Sequence, residues 1–406
     1  MPHLAPLTPS LSPQGKGRYR KAVAVACDLV TPYGWGVHAC WQGLLSGQSA
    51  IRPLDRFSTR HFLTDKAATI PDLKAGPGES FVMNMLIPLL SKASDLGLIP
   101  DDSLLILATT TGEIDFLEQS VLRGTQGTAK ESRLDCLLAK VVHWSGVVTR
   151  SKSRNMPLIV SAACVSSSAA IAQAASLIRN GEQDCLLVVA CDSVSEFVMA
   201  GFSTLMALDK DMARPFDRDR KGLSLGEAAG FILLMSEERA MREERPIIGE
   251  IAGWGMTGDA NHMTGPCRDG CGLALAVEKA LQSASIPESA VGSISAHGTG
   301  TVYNDAMEMK AFKKAFQNRA IPTYSIKGGT GHTMGAAGLL EVIVAFQALK
   351  EKMIPPTVNM RCVDEEAKGW VFSQPHSLDG TVTVSTNSGF GGLNAALVLK
   401  EYRTEE

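Results

Sequence analysis

The sequence lacks the charge excess, the long apolar runs and the leader features that would direct a chain to nucleic acid, a membrane or export. Its 39 basic and 42 acidic residues give a net charge of −3, so no overall positive field favours nucleic acid. No run approaches the roughly 18 consecutive apolar residues of a membrane span. Residues 1–20 are rich in proline, serine and glycine and contain no apolar core, so we expect a flexible tail and no signal peptide.

Disulfide and zinc patterns are also missing. The nine cysteines are scattered and odd in number, and a chain of this length can bury a large core without cross-links. We therefore expect a reducing cytoplasm. Cys267 and Cys271 are spaced like half of a metal site, but no second pair of cysteines or histidines accompanies them, and we expect no metal.

The glycine-rich loops do not have the patterns of nucleotide-binding proteins. The chain contains neither G-x-x-x-x-G-K-[ST] nor a G-x-G-x-x-G followed by an acidic residue about twenty positions later. Nucleotide binding is therefore disfavoured.

What the sequence does contain is an alternation of strand-like and helix-like segments. Apolar runs at Lys21–Cys27, Leu104–Ala108 and Cys185–Cys191 predict buried strands, and the last run is typical of a parallel central strand. Helical patterns lie between the strands, for example at 80–96 and at Leu134–Trp144. The alternation predicts an α/β fold.

The order of elements repeats along the chain. A first half over 21–245 and a second half over 246–406 each place a buried helix of small residues after a central strand. The first of these helices follows Ala169 and the second follows Gly338. Because their side chains are small, we expect the two helices to pack closely face to face.

The first half is centred on a strand, a tight turn and a helix around one cysteine. Leu158–Val160 leads through small residues to Cys164, and the following helical run ends at Asn180-Gly181. Unpaired N–H groups and the positive end of the helix dipole stabilise an anion at a helix start. We therefore expect a lowered pKa for the Cys164 thiol. A buried structural thiol is the alternative.

Four polar segments flanked by glycine lie beside strands in the second half, at 255–266, 296–301, 326–338 and 387–394. Loops at strand ends are where open α/β sheets place ligands. Taken singly, the histidines within these segments fit a satisfied core residue and a loop residue beside a glycine turn. Taken with the cysteine, they predict one catalytic crevice.

Five longer motifs occur in order along the chain. They are Ala-Ala-Cys164-x-Ser-Ser, Arg214-Pro-Phe-Asp-x-Asp-Arg-x-Gly, His297-Gly-Thr-Gly-Thr with Asp305 and Glu308, Lys327-x-x-x-Gly-His332-x-x-Gly-Ala-Ala-Gly, and Gly389-Phe390-Gly-Gly-x-Asn394. Together they resemble the β-ketoacyl-acyl-carrier-protein synthases, and most closely the elongating type II enzymes of fatty-acid or polyketide synthesis. The similarity covers nearly the whole chain, from about Lys21 to Lys400. The resemblance implies a thiolase-like five-layer αβαβα fold with two duplicated halves, and a homodimer or a heterodimer with a sister subunit.

The resemblance also implies a mechanism. Cys164 would attack an acyl thioester carried on the phosphopantetheine arm of an acyl carrier protein, and the backbone amides of Cys164 and Phe390 would form the oxyanion hole. His297 and His332 would donate hydrogen bonds to the enolate that forms when malonyl-carrier protein loses carbon dioxide. Neither a metal nor a tightly bound cofactor is implied.

Further residues receive supporting roles from the same resemblance. Lys327, paired with Glu341, would orient the site, and the glycines beside Phe390 would let it act as a gate. The remaining predicted residues are Asp305 and Glu308 as support, and Thr264, Thr299, Thr301 and Asn394 as substrate-binding residues.

The chain departs from the family pattern near the expected acyl pocket. Val165 replaces a small polar residue, Leu393 replaces a common threonine, and the loop after Leu107 lacks the usual glycine-serine run. The acyl chain length therefore stays open. The segment Phe202–Met206 lacks a basic residue that relatives offer to an acidic carrier protein, so we expect other basic residues to bind the carrier.

Two other functions compete with a condensing enzyme. A chain-length partner subunit of a ketosynthase usually lacks the cysteine, whereas this chain has Cys164 together with His297, His332 and Lys327. A CoA-dependent thiolase typically uses a second catalytic cysteine near the C-terminus, where this chain has the segment 387–394 instead.

Overall fold

The computed structural model describes residues 19–76, 79–122 and 157–403. Strands in these residues are β1 (Ala22–Thr31), β2 (Gly34–Trp35), β3 (Arg52–Pro53), β4 (Lys66–Ala67), β5 (Leu104–Ala108), β6 (Leu158–Val160), β7 (Cys185–Asp192), β8 (Ala228–Ser236), β9 (Gly249–Gly258), β10 (Ser293–Ser295), β11 (Thr323–Tyr324), β12 (Met353–Ile354), β13 (His376–Ser377), β14 (Val382–Gly389) and β15 (Leu393–Lys400). Helices are α1 (Val37–Leu45), α2 (Phe81–Asp95), α3 (Ile114–Leu122), α4 (Ser166–Arg179), α5 (Glu196–Thr204), α6 (Glu237–Arg242), α7 (Cys271–Ala284), α8 (Val302–Ala315), α9 (Lys327–Thr330) and α10 (Ala337–Glu351).

The main sheet contains the same five-strand pattern twice. Its order is β11-β10-β14-β15-β9-β1-β8-β7-β5-β6, with β2 beside β1. In the first half β5 is parallel to β6 and β7, and β7, β8 and β1 follow antiparallel to one another. In the second half β10 is parallel to β11 and β14, and β14, β15 and β9 follow in the same way. The two patterns meet where β1 pairs with β9.

Helices form three layers around these two sets of strands. Helix α2 covers the outer face of the first set, and α7 and α8 cover the outer face of the second. Helices α4 and α10 contact strands of both sets and each other, and their apolar residues belong to one buried cluster, which includes Ile171, Ile178, Leu340 and Ile343. The result is a five-layer αβαβα arrangement with a core between the layers.

The two central helices approach each other closely, as the sequence predicts. The backbone N–H of Leu339 donates to Ser167 Oγ across the contact at 2.9 Å. Gly338 allows this approach, because a Cβ there would lie 2.1 Å from Ser168 Oγ. The small-residue patterns around Ala169 and Gly338 therefore determine the distance between the halves.

Most predicted elements are found with small shifts at their ends. The run Cys185–Cys191 is a buried strand, but it is parallel to β5 on one side and antiparallel to β8 on the other. Its apolar character reflects helices on both faces and carries no information on the direction of its neighbours. The helix predicted over Leu134–Trp144 lies outside the described residues, and the boundary between 245 and 246 stays a prediction. Within the described part of the chain, no helix has the length and apolar character needed to cross a membrane.

Candidate active site

The turn before Cys164 is tight and strained. Ala163 has a φ of 48°, a left-handed conformation that is unusual for a residue with a Cβ. Ser166 holds the turn, since its Oγ donates to the Ala163 carbonyl at 2.6 Å and accepts from the Ala162 N–H at 2.9 Å. The turn directs the Cys164 side chain into the space between the two halves.

Cys164 lies just before α4, whose N-cap is Val165. The expectation of a lowered thiol pKa is wrong. Burial raises the pKa of Cys164 to about 12, although the charge of Lys327 and the backbone amides of Phe390 and Cys164 act in the opposite direction. The residue is 7% exposed, and at this depth the loss of hydration outweighs the field of the helix end.

His332 lies against the cysteine. Its Nε2 is 3.0 Å from Cys164 Sγ. The backbone of His332 is held by a short bridge, in which its N–H donates to the Ser224 carbonyl at 2.7 Å. The N–H of Met334 donates to His332 Nδ1 at 3.2 Å, so the neutral ring carries its proton on Nε2, facing the sulfur.

His297 is positioned by two carboxylates on α8. Glu308 accepts from the backbone N–H groups of His297 (2.8 Å) and Gly298 (2.7 Å). Asp305 accepts from the next amides of the loop, including that of Thr299 at 3.1 Å. Burial and the neighbouring Asp305 raise the pKa of the Glu308 carboxyl to about 8. The predicted supporting residues thus hold the histidine loop and do not line the cavity.

Lys327 lies behind His297. Its Nζ donates to the His297 carbonyl oxygen at 2.5 Å and forms an ion pair with Glu341, the partner expected from the sequence. Both side chains are almost completely buried, where an unpaired charge would be very costly. Burial raises the pKa of the Glu341 carboxyl, and Lys327 opposes that shift. Lys327 therefore places its positive charge close to the site, although its side chain does not line the cavity.

The two histidines form a neutral pair of donors. Their rings meet edge to face with centroids 5.1 Å apart. Burial and the charge of Lys327 hold the pKa of each histidine well below its usual range. Both rings are therefore neutral at neutral pH, and hydrogen bonding decides which nitrogen of each carries the proton.

Cys164, His297 and His332 are also a possible set of metal ligands, because their ligand atoms lie within 4.8 Å of one another. Histidines that bind a metal donate their second ring N–H to an oxygen. Here donors face the second nitrogens instead: the N–H of Met334 faces His332 Nδ1, and Asn387 Nδ2 lies 3.3 Å from His297 Nδ1. This arrangement favours ring nitrogens that donate into the site and disfavours a metal.

A cavity of about 580 Å³ connects this cluster to the surface. The predicted substrate-binding residues line it, namely Thr264, Thr299, Thr301 and Asn394. Thr299 and Thr301 share a hydroxyl hydrogen bond of 2.9 Å, and Asn394 Nδ2 donates to Asp259 at 2.7 Å.

Phe390 also lines this cavity. Its ring packs on that of Phe202, with centroids 5.7 Å apart. Gly391 and Gly392 follow with φ values of 88° and 75°, which only glycine adopts readily. The gate predicted for Phe390 stays a prediction, and its surroundings permit backbone movement.

Two buried residues in the site have no role in the sequence analysis. Asp192 accepts from the amides of Thr110, Thr111 and Gly335 at 2.7–2.9 Å, and so ties the loop after β5 to the second half. Asn387 contacts His297, Glu341 and Ser168. Two sequence features could have drawn attention to these residues. Asp192 is a carboxylate at the end of the buried strand β7, and Asn387 is a polar residue inside strand β14.

The fold and the site together define an enzyme of the thiolase-like fold with a cysteine at a helix start and two histidine donors. Two protein-family models match the chain. The model of the "Beta-ketoacyl synthase, N-terminal domain" matches residues 145–240, and that of the "Beta-ketoacyl synthase, C-terminal domain" matches residues 248–361. The 3-oxoacyl-[acyl-carrier-protein] synthase 2 of Vibrio cholerae is 30% identical over 94% of this chain and 99% of its own length. The chain belongs to the β-ketoacyl synthase family.

Solved structures agree with this assignment. The ishigamide ketosynthase/chain length factor has a TM-score of 0.83 and 29% identity, covering 95% of this chain and 100% of that one. A β-ketoacyl synthase from Burkholderia phymatum has a TM-score of 0.84 and 26% identity over the same shares. The predicted thiolase-like fold and the predicted class, an acyltransferase, are confirmed.

Proposed function

We propose that the protein is a condensing β-ketoacyl synthase that extends an acyl chain by two carbons, using malonyl-acyl carrier protein. The observation that carries this proposal is the meeting of Cys164, His297 and His332 at the inner end of one cavity. The name of the Vibrio cholerae relative supports an acyl carrier protein as the donor of both substrates.

In the first half-reaction, Cys164 attacks the thioester carbonyl of the acyl-carrier protein. The amides of Cys164 and Phe390 stabilise the oxyanion, a hydrogen-bond effect of about 2.7–4 kcal/mol for one donor. The carrier's thiolate leaves and takes up the proton of the Cys164 thiol. The acyl group is then held as a thioester on the enzyme.

In the second half-reaction, malonyl-carrier protein loses carbon dioxide and leaves an enolate. Nε2–H groups of His297 and His332 donate to the enolate oxygen, and Lys327 adds positive charge behind His297. The enolate carbon attacks the acyl thioester, and the Cys164 sulfur leaves as a thiolate and takes a proton from water. The 3-oxoacyl product remains on the carrier. Thr264, Thr299, Thr301 and Asn394 hold the phosphopantetheine arm, and no metal or tightly bound cofactor takes part.

A subunit that only shapes a sister ketosynthase is the second candidate, because the ishigamide structure joins a ketosynthase to a chain length factor. The complete set of Cys164, both histidines and Lys327 favours the condensing role.

The same comparison supports a dimer, either of two copies or with a sister subunit. We place this activity in the cytoplasm.

The test follows the two half-reactions separately on the purified protein, with intact mass for acylation and carbon dioxide release for decarboxylation. Cys164→Ala should abolish acylation, and His297→Ala or His332→Ala should abolish condensation while acylation continues. Cys191→Ala, a buried cysteine on β7 away from the cavity, serves as the matched control. Acylation of Cys164→Ala at the normal rate would overturn the proposal, and a wild-type protein that is never acylated would favour the partner subunit.

A further inference from the structure

Asn387 lies at the junction of three parts of the site. It is completely buried near the end of β14. Its Nδ2 is 2.6 Å from Glu341 Oε2 on α10 and 3.3 Å from His297 Nδ1, and its Oδ1 accepts from Ser168 Oγ on α4. One amide therefore contacts the ion pair of Lys327, a predicted catalytic histidine and the helix that follows Cys164.

These contacts determine which way the amide points. Glu341 is an acceptor, because it takes a hydrogen bond from Lys327 Nζ, so the amide atom beside it must be the nitrogen. The oxygen then faces the Ser168 hydroxyl, which donates to it. The reverse orientation would place two oxygens 2.6 Å apart and lose the hydrogen bond to Glu341.

The amide nitrogen carries two hydrogens, and each has one acceptor. One goes to Glu341, and the other points toward His297 Nδ1. A ring nitrogen that accepts a hydrogen bond carries no proton, so neutral His297 carries its proton on Nε2. The N–H of Met334 produces the same tautomer in His332, and both rings then present a donor to the reacting oxygen.

We propose that Asn387 is the positioning residue that holds His297 in the tautomer with its proton on Nε2, and that Glu341 fixes the amide for this purpose. The proposal rests on the function proposed above, because it assigns His297 as a donor to the enolate. It predicts that the second half-reaction depends on Asn387, whereas acyl transfer to Cys164 does not.

Asn387→Asp is the sharpest test because it changes almost no volume. The carboxyl oxygen that replaces Nδ2 carries at most one hydrogen, and Glu341 takes it, so His297 meets only a lone pair. The ring then places its proton on Nδ1 and loses the Nε2 donor. Loss of one such donor lowers a rate by about 100-fold to 1,000-fold, and we expect carbon dioxide release to fall by about this factor. Acylation of Cys164 should stay within about threefold of wild type, because none of its groups changes.

Asn387→Leu removes the hydrogen bond to His297 Nδ1 but does not favour the tautomer with its proton on Nδ1. One hydrogen bond contributes about 0.5–1.5 kcal/mol, so carbon dioxide release should fall by only about twofold to tenfold. Ser385→Ala is the matched control: Ser385 lies on the same strand and is equally buried, and among the described residues its Oγ has no hydrogen-bond partner. It should behave as wild type in both half-reactions.

The tautomer is also measured directly, without activity. In protein labelled with ¹⁵N-histidine, the ring nitrogen shifts of His297, assigned by loss of its signals in His297→Ala, should show a protonated Nε2 in wild type and a protonated Nδ1 in Asn387→Asp. Equal losses of acylation and decarboxylation in both variants would mean a structural role and would overturn the proposal. Decarboxylation at the wild-type rate in Asn387→Asp would do the same. If the wild-type protein carried out neither half-reaction, the proposed function itself would be overturned.

Discussion

The sulfur of Cys164 is subject to opposing influences. Two backbone amides and the charge of Lys327 stabilise the thiolate, while burial raises the pKa of the thiol to about 12. A cysteine with this pKa is a thiol at neutral pH. In the proposed mechanism, Cys164 becomes a nucleophile only as its proton leaves during attack, when the amides proposed to form the oxyanion hole take part.

This difference between a free thiolate and a protonated thiol is measurable with iodoacetamide. Below the pKa, the thiolate fraction rises about tenfold for each pH unit. We expect the alkylation rate of Cys164 to rise in this way from pH 7 to pH 10 without levelling off. Mass spectrometry of the modified peptide, with Cys164→Ala as the blank, checks it. A plateau below pH 9 would mean that the field of the helix end outweighs burial.

The sequence predicts which residues meet at the site better than it predicts their states. Cys164, His297 and His332 each follow a strand-like run, and the motifs place them at strand ends. The pKa of Cys164 could not be predicted, because it depends on how deeply β14 and α10 cover the turn. Asn387 had no assigned role for a similar reason: its partners Glu341 and Ser168 are distant in the chain and meet only in the fold.

Among the elements, α4 and α10 carry most of the constraint on the site. Cys164 precedes the first helix, and Glu341 lies on the second. Where the helices cross, Gly338 leaves no space for a side chain, since a Cβ would lie 2.1 Å from Ser168 Oγ and 2.9 Å from Asn387 Oδ1. Any increase in size at this crossing moves the two halves of the site apart.

Gly338→Ala should therefore destabilise the protein, although alanine favours a helix. Overpacking of a close contact costs about 1–3 kcal/mol, and Ser168→Ala in the same chain should recover part of the loss by removing the hydroxyl. Gly201→Ala is the matched control in α5, where the added Cβ meets nothing within 4 Å; it should raise the free energy of unfolding by about 0.5–1 kcal/mol. Urea unfolding measures all three. Equal effects of the two alanines would contradict close packing at the crossing.

At the scale of the whole molecule, the sheet ends in an apolar edge. Strand β6 pairs with β5 on one side and is the last strand in the order of the described sheet. Leu158 and Ile159 on this strand are 39% and 44% exposed. An apolar edge strand that remains exposed invites pairing with another chain, and this supports the proposed dimer.

A charge on this edge should separate the subunits. We expect light scattering to give twice the chain mass of 43.2 kDa for wild type and a shift toward the single chain for Ile159→Lys, because burying an unpaired charge is costly. Leu96→Lys, at an exposed apolar position after α2, is the control and should leave the mass unchanged. A dimer that tolerates Ile159→Lys would place the interface elsewhere.

The sequence predicts the alternation of elements and the repeat well, because both depend on local apolar patterns such as those of β1, β5 and β14. Strand direction was not predictable in the same way. The apolar run of β7 is equally compatible with parallel and antiparallel neighbours, and its pairing with β8 depends on residues more than 35 positions later in the chain.

The burial of Cys164 also affects how the protein is oxidised in air. Sulfenic acid forms from thiolates that are exposed to peroxide, whereas Cys164 is a protonated thiol and the residue is only 7% exposed. When no substrate is bound, we therefore expect the Cys164 thiol to react slowly with small oxidants. Among the described cysteines, Cys271 and Cys362 are exposed, and Cys271 Sγ lies 3.0 Å from Lys314 Nζ, so we expect these surface thiols to be oxidised before Cys164.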